Sequence, residues 1–286
     1  MAKIDPVDHR PRGADQQWPW RWSPAEDSAV NLVSGMAAAL AFAVVATAAR
    51  AGEARCWIDR GALVAPAAFG DIAGDFLIDL SAPQSELHVT RAQSDGVVTD
   101  TVTRDLVAAG QRIPAVTLRV ADLDSRTAAF VTSINGVLGA DVLKDYVVDL
   151  DPSPCRLRLS RGPGRRLARS RRLPVREIGG IPVVPALISD GQRVRSGLFG
   201  LGAGDWASRL SGARLSRPPP SVIAADAPPI RLRALEFGGR LFEQTPTVVT
   251  GDPPSEVSGA IGMAVLSHWR MRLDMAGGWL DLAPAE

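Results

Sequence analysis

The chain has 286 residues, enough for one large or two modest hydrophobic cores, and its formal charge of +1 selects neither nucleic acid nor an acidic partner. Hydrophobic residues at 46% and charged residues at 22% exclude wholesale disorder. Only three histidines (His9, His88, His268) and two cysteines (Cys56, Cys155) are present, too few for clustered metal ligands or nucleophile triads. No metal and no cofactor is therefore expected, and carboxylates, hydroxyls and backbone groups must carry any chemistry.

Residues 1–29 form a polar leader with Trp18, Trp20 and Trp22 close together and Lys3, Arg10, Arg12 and Arg21 before an apolar run. That run, Val30 to Ala49, holds no charge and ends in Ala49-Arg50-Ala51, a small-x-small pattern suited to signal-peptidase cleavage. Residues 30–51 thus read as a signal peptide or an uncleaved anchor, since twenty residues just suffice to cross a bilayer. Export to the periplasm or the inner membrane is the expectation, with membrane contact only through residues 30–49 if the segment is retained. Export would permit a disulfide between Cys56 and Cys155; two unpaired buried thiols are the other reading.

A first lobe is expected over 56–160. Leu77-Ile78-Asp79-Leu80-Ser81-Ala82 reads as an apolar strand entering a tight turn. Alternation and β-branched residues predict strands at Ala115–Val120, Ala128–Thr132 and Tyr146–Leu150, with one helical turn at Gly139–Lys144. Eight arginines crowd the stretch from Arg156 to Arg172; with no aromatic residue to stack bases it reads as solvated, and 161–174 is assigned as a linker. A second lobe follows over 175–286, with strands at Ile230–Leu235 and Thr247–Thr250, a turn of helix at Gly262–Ser267 and a surface loop at Pro218-Pro219-Pro220. Many short strands and little helix predict an all-β fold.

An internal repeat relates the lobes. Gly136-Val137-Leu138-Gly139-Ala140-Asp141 matches Gly259-Ala260-Ile261-Gly262-Met263-Ala264, and Leu143, Asp151, Leu157 and Leu159 match Leu266, Asp274, Leu280 and Leu282, all at an offset of 123. Upstream, Leu77–Ala82 is matched to Leu198-Phe199-Gly200-Leu201-Gly202-Ala203 at an offset of 121.

These segments resemble the two signatures of the aspartic peptidases, pepsin-like and retropepsin-like: a strand ending in Asp-Thr/Ser-Gly-Ala, then a hydrophobic-hydrophobic-Gly segment with a short helix. Leu77–Ala82 is similar to the first signature, Val137-Leu138-Gly139 and Ala260-Ile261-Gly262 to the second. The resemblance spans Trp57 to the C-terminus and implies a two-lobed acid-protease fold with a pseudo-twofold axis, a monomer that is its own pseudo-dimer. In that family one carboxylate per lobe shares a single proton across the axis, one drawing a proton from water and the other donating. Asp79 fills the lobe-one position, whereas lobe two offers Gly200, which has nothing to titrate. Leu80 and Leu201 stand where the family places hydroxyls, and they are expected to meet on the axis. Asp205, past the turn, is expected to point elsewhere.

Losing a general acid or base costs about 10²–10⁴ in rate, so the resemblance implies an impaired peptidase. A cleft that binds an extended peptide needs no carboxylate pair. The alternatives are a divergent but active aspartic endopeptidase and a structural envelope protein without a ligand. His88 and His268 read as packing or surface residues, Trp57, Trp206, Trp269 and Trp279 as core or rim. Tyr146 does not match the flap tyrosine of pepsin-like enzymes.

Overall fold

The protein is described here by a computed structural model covering residues 52–217, 228–251 and 256–285. The leader, the apolar run 30–51 and Pro218–Pro220 lie outside the described residues, and no described helix is long and apolar enough to cross a membrane. Lobe one runs through β1 (Gly52–Arg55), β2 (Trp57–Asp59), β3 (Ala62–Phe69), β4 (Ile72–Ile78), β5 (Glu86–His88), β6 (Thr101–Ala108), β7 (Gln111–Ala121), β8 (Ile134–Leu138), β9 (Val147–Pro152) and β10 (Cys155–Ser160). Lobe two contains β11 (Arg171–Pro174), β12 (Arg176–Ile178), β13 (Ile181–Ser189), β14 (Val194–Gly202), β15 (Ser208–Ser211), β16 (Ile230–Phe237), β17 (Arg240–Thr250), β18 (Val257–Gly262), β19 (Trp269–Asp274) and β20 (Trp279–Pro284). The described α-helices are short: α1 (Val89–Ser94), α2 (Asp124–Thr127), α3 (Ala140–Leu143) and α4 (Met263–Leu266).

Each lobe closes into a barrel. In lobe one the order β3-β4-β8-β5-β7-β6 returns to β3, and in lobe two β13-β14-β18-β15-β17-β16 returns to β13. Closure removes the exposed strand edges that a short-stranded sheet would otherwise present. The alternation read in the sequence survives as burial in β7, where Val116 and Leu118 are buried while Thr117 and Arg119 are exposed. Ala128–Thr132 is not a strand. It follows α2 as turn and bend, because the short helix spends the chain's direction change there and leaves no neighbour to pair with.

A third sheet, β1-β10-β9-β19-β20-β11, joins the lobes. Its inner face is apolar, with Leu157, Leu159, Met271, Leu273, Leu280 and Leu282 all buried. Its outer face carries a cross-strand row of alternating charge: Glu53, Arg158, Asp149, Arg272, Asp281 and Arg172 occupy successive strands in register. Each neighbouring pair in the row is of opposite sign, the favourable cross-strand arrangement. The arginine-rich stretch is accordingly not a solvated linker throughout. Arg156 and Arg158 lie in β10, Arg171 and Arg172 in β11, and the Leu167 N–H donates to Asp281 Oδ2 at 3.1 Å as the intervening loop crosses the charged face. Cys56 and Cys155 are joined by a disulfide that ties the turn after β1 to the start of β10.

Candidate functional site

The strand pairing decides which residues face each other between the lobes. In lobe one Leu77 pairs with Val137 and Ile78 with Leu138; in lobe two Gly200 pairs with Ala260, Leu201 with Ile261 and Gly202 with Gly262. Ser85 Oγ accepts from Gly139 N–H at 2.8 Å, and Ser208 Oγ accepts from Gly262 N–H at 3.1 Å. Ala140 N–H donates to Ala82 O as Met263 N–H donates to Asp205 O. Every one of these equivalences keeps the offset of 123. The lobe-two position matching Asp79 is therefore Gly202, not Gly200, and the turn residues Leu80, Ser81 and Ala82 correspond to Ala203, Gly204 and Asp205. A slip of two residues leaves a strand's inward and outward faces unchanged, so the apolar pattern alone does not detect it.

The expected Leu80–Leu201 meeting changes with it. Leu80, Leu201 and Ala203 are all buried, but the counterpart of Leu80 is Ala203. A backbone bond links the lobes here, from Leu63 N–H in β3 to Ala203 O at 2.8 Å.

Asp79 is 1% exposed at the end of β4. A carboxylate so placed must be paired or hydrogen-bonded to remain charged. Its Oδ1 accepts from the Ser81 N–H at 3.0 Å and the Ser81 hydroxyl at 2.7 Å, the local turn pattern expected of an aspartate at a strand end. Its Oδ2 accepts from Arg126 Nη2, delivered by α2. Arg209 of β15 lies 4.0 Å from the same oxygen and donates from Nη2 to Ser81 Oγ at 2.5 Å. Directly above sits Gly204; a Cβ there would stand 2.7 Å from Arg126 Nη2 and 2.8 Å from Asp79 Cβ, so this position has room only for glycine.

Asp205 does not point away, contrary to expectation. Its Oδ2 lies 3.5 Å from Arg209 Nε, and its charge acts on the same group as Asp79 does. Burial raises the Asp205 carboxyl above its ordinary value and the charge of Asp79 adds to that, while Arg209 and Arg126 pull it partly back. Burial disfavours the charge on Arg126, but Asp79 and Asp205 outweigh burial and hold its guanidinium above the usual arginine range. Two acids and two arginines thus form one cluster spanning the lobes. Sequence reasoning missed both arginines; their spacing to Asp79 is set by folding, and no motif marks them.

Two cavities flank the cluster. One, about 380 Å³, is polar and lined by Asp79, Gln84, Glu86, Arg119, Arg126 and Arg209. The other, about 480 Å³, is mainly apolar and includes Pro83, Ile178, Ile181, Val257 and Ala260. Ser81, Pro83 and Arg209 line both. His88 lies away from the cluster: it caps α1 through Nδ1, accepting from Thr90 N–H at 3.3 Å, and its Nε2 meets Asp124 at 3.1 Å. His268 packs on the Phe242 ring, and burial followed by the Arg240 charge lowers its basicity. Tyr146 is buried and accepts from Arg161 at 3.1 Å.

No family model and no curated protein matches this sequence. Among solved structures, the aspartic proteinase from Irpex lacteus superposes with a TM-score of 0.51 at 12% identity, covering 83% of this chain and 98% of that one. Together with the two closed barrels, this likeness gives the chain a two-lobed, all-β, pepsin-like fold.

Proposed function

We propose that the chain is an exported aspartic-peptidase-like protein that holds an extended peptide between its lobes and does not cut it. The observation that carries this reading is that the lobe-two position equivalent to Asp79 is Gly202, while the oxygens of Asp79 are taken by Ser81 and Arg126. The family's chemistry requires two carboxylates sharing one exchangeable proton around a water. A guanidinium keeps its protons across the accessible pH range, so Arg126 neutralises Asp79 without becoming a general acid or base. The cleft remains, with open cavities on both sides of Ser81 and Arg209. Export is supported by the disulfide, a bond favoured in oxidising compartments and rare in the cytosol, and by the composition of residues 30–51. Cell fractionation with N-terminal analysis of the mature protein separates a cleaved leader from an anchor.

A second reading has one observation in its favour: Asp205 comes from the other lobe and its carboxyl is held above the ordinary range. A divergent endopeptidase would pair Asp79 with Asp205 in place of the position now held by Gly202. Incubation of the purified protein with denatured protein substrates, in acid and at neutral pH, decides between them. No cleavage, together with peptide-array binding, supports the first reading. Pepstatin-sensitive cleavage lost in both Asp79→Asn and Asp205→Asn establishes the second.

A further inference from the structure

The two cavities differ in chemistry and share Ser81, Pro83 and Arg209, of which only Arg209 is charged. Arg209 is 39% exposed along its side chain, whereas the other cations of the polar cavity are committed. Arg126 is held by Asp79 and Arg119 by Glu86, each in a direct ion pair. Arg209 has no carboxylate closer than 3.5 Å among the described residues, and its Nη2 rests on the neutral Ser81 hydroxyl. Its fork therefore retains N–H donors for an incoming anion. The polar cavity is lined by three guanidinium groups and two carboxylates, with Asp205 beside Arg209 at 3.5 Å, so Arg209 is the cation there with donors left over. Beside it, Ile178, Ile181, Val257 and Ala260 present an apolar recess of about 480 Å³ that opens on the same Arg209.

We infer that the cleft captures the C-terminal end of a peptide whose last residue is apolar, its carboxylate on Arg209 and its side chain in the recess beside Ile178 and Val257. A terminal residue carries a carboxylate and a side chain on one Cα, which suits a single arginine shared by a polar and an apolar cavity. An internal acidic residue would instead send its carboxylate and its own stem in the same direction. Planar carboxylates match the guanidinium fork, giving charge-assisted bonds stronger than neutral ones. This inference rests on the reading of the cleft as a peptide site and adds the class of peptide it takes.

Fluorescence polarisation with N-terminally labelled hexapeptides and the full chain tests it. Peptides ending in leucine with a free carboxylate are expected to bind about 10- to 100-fold more tightly than the same peptides as C-terminal amides. In Arg209→Gln, which keeps a donor for Ser81, that ratio falls to about one. Replacing the last leucine by glycine weakens binding about tenfold or more, and Ile178→Ser does the same for the leucine peptide. Thermal melts of both variants confirm that they fold. Equal binding of acid and amide overturns the inference while leaving the peptide-binding reading intact. No binding of any peptide overturns both. Decanoate binding as tightly as the leucine peptide overturns the inference in favour of a lipid acid.

Discussion

Asp79 and Arg126 form an ion pair beside the contact between the lobes. Breaking such a pair from one side leaves a charge without its partner. Arg126→Leu is expected to cost about 2–3 kcal/mol in urea unfolding, somewhat under the range for fully buried pairs because Arg126 keeps partial solvent access. Adding Asp79→Asn to that variant should restore part of the loss, a non-additivity read by a double-mutant cycle. Asp205 obeys the opposite sign. Its carboxyl is raised in the fold, so the stability linked to its protonated form is complete below the unfolded value of 3.8 and is lost as pH rises through the folded value. Asp205→Asn should therefore melt at a higher temperature than the parent protein at neutral pH, with the difference vanishing in acid. Gly202 has no positive φ, and a Cβ there would stand 3.3 Å from Ala260 Cβ and Ile261 O, so Gly202→Asp needs those neighbours to give by a few tenths of an ångström and is checked first by its thermal melt. It should still not hydrolyse peptides, since Arg126 continues to occupy Asp79.

At the level of elements, the charged row across the six-stranded sheet separates strong pairs from weak ones. Glu53 and Arg158 sit near the sheet edge in solvent, where screening leaves an ion pair little weight. Asp281 has no exposed side-chain surface and accepts from Arg172 Nε at 2.8 Å and from the Leu167 amide. Burial pushes its carboxyl up, but the Arg172 hydrogen bond and the Leu167 amide outweigh that and hold it below the ordinary range. Its contribution to stability is present above the unfolded value of 3.8 and is lost as pH falls through the lower folded value. Arg172→Leu is expected to lower stability and to move the acid-unfolding midpoint to higher pH, while Arg158→Leu changes unfolding little. Circular dichroism titrations of the two variants check the contrast. The middle rung carries more than stability. Asp149 and Arg272 are equivalent positions of the two repeats, and they face each other across the lobe boundary. In a symmetric homodimer the same residue would face itself; a duplicated chain can place opposite charges there.

For the whole molecule, the disulfide closes 99 residues of chain and confines the unfolded state of lobe one. Replacing both cysteines by serine should cost about 4 kcal/mol by loop entropy, measured as a lower unfolding midpoint without change in the folded spectrum. The two lobes share one continuous apolar core that runs from Leu63 through Leu150 to Leu282. Independent melting of the lobes is therefore not expected, and a single calorimetric transition is the check. The sequence by itself determined the all-β class, the duplication, the place of Asp79 and the single turns of helix after Gly139 and Gly262. These rest on local periodicity and on a repeat that needs no geometry to see. Only the tertiary structure decided that Gly202, not Gly200, is the counterpart of Asp79, because a two-residue slip preserves strand alternation and the strand pairing shows that the offset of 123 extends upstream. Only folding, too, brings Arg126 and Arg209 from distant segments onto one carboxylate, and turns the arginine-rich stretch into strands whose charges are answered from neighbours more than a hundred residues away. Charge pairing acts through space, and a linear pattern records only what is close along the chain.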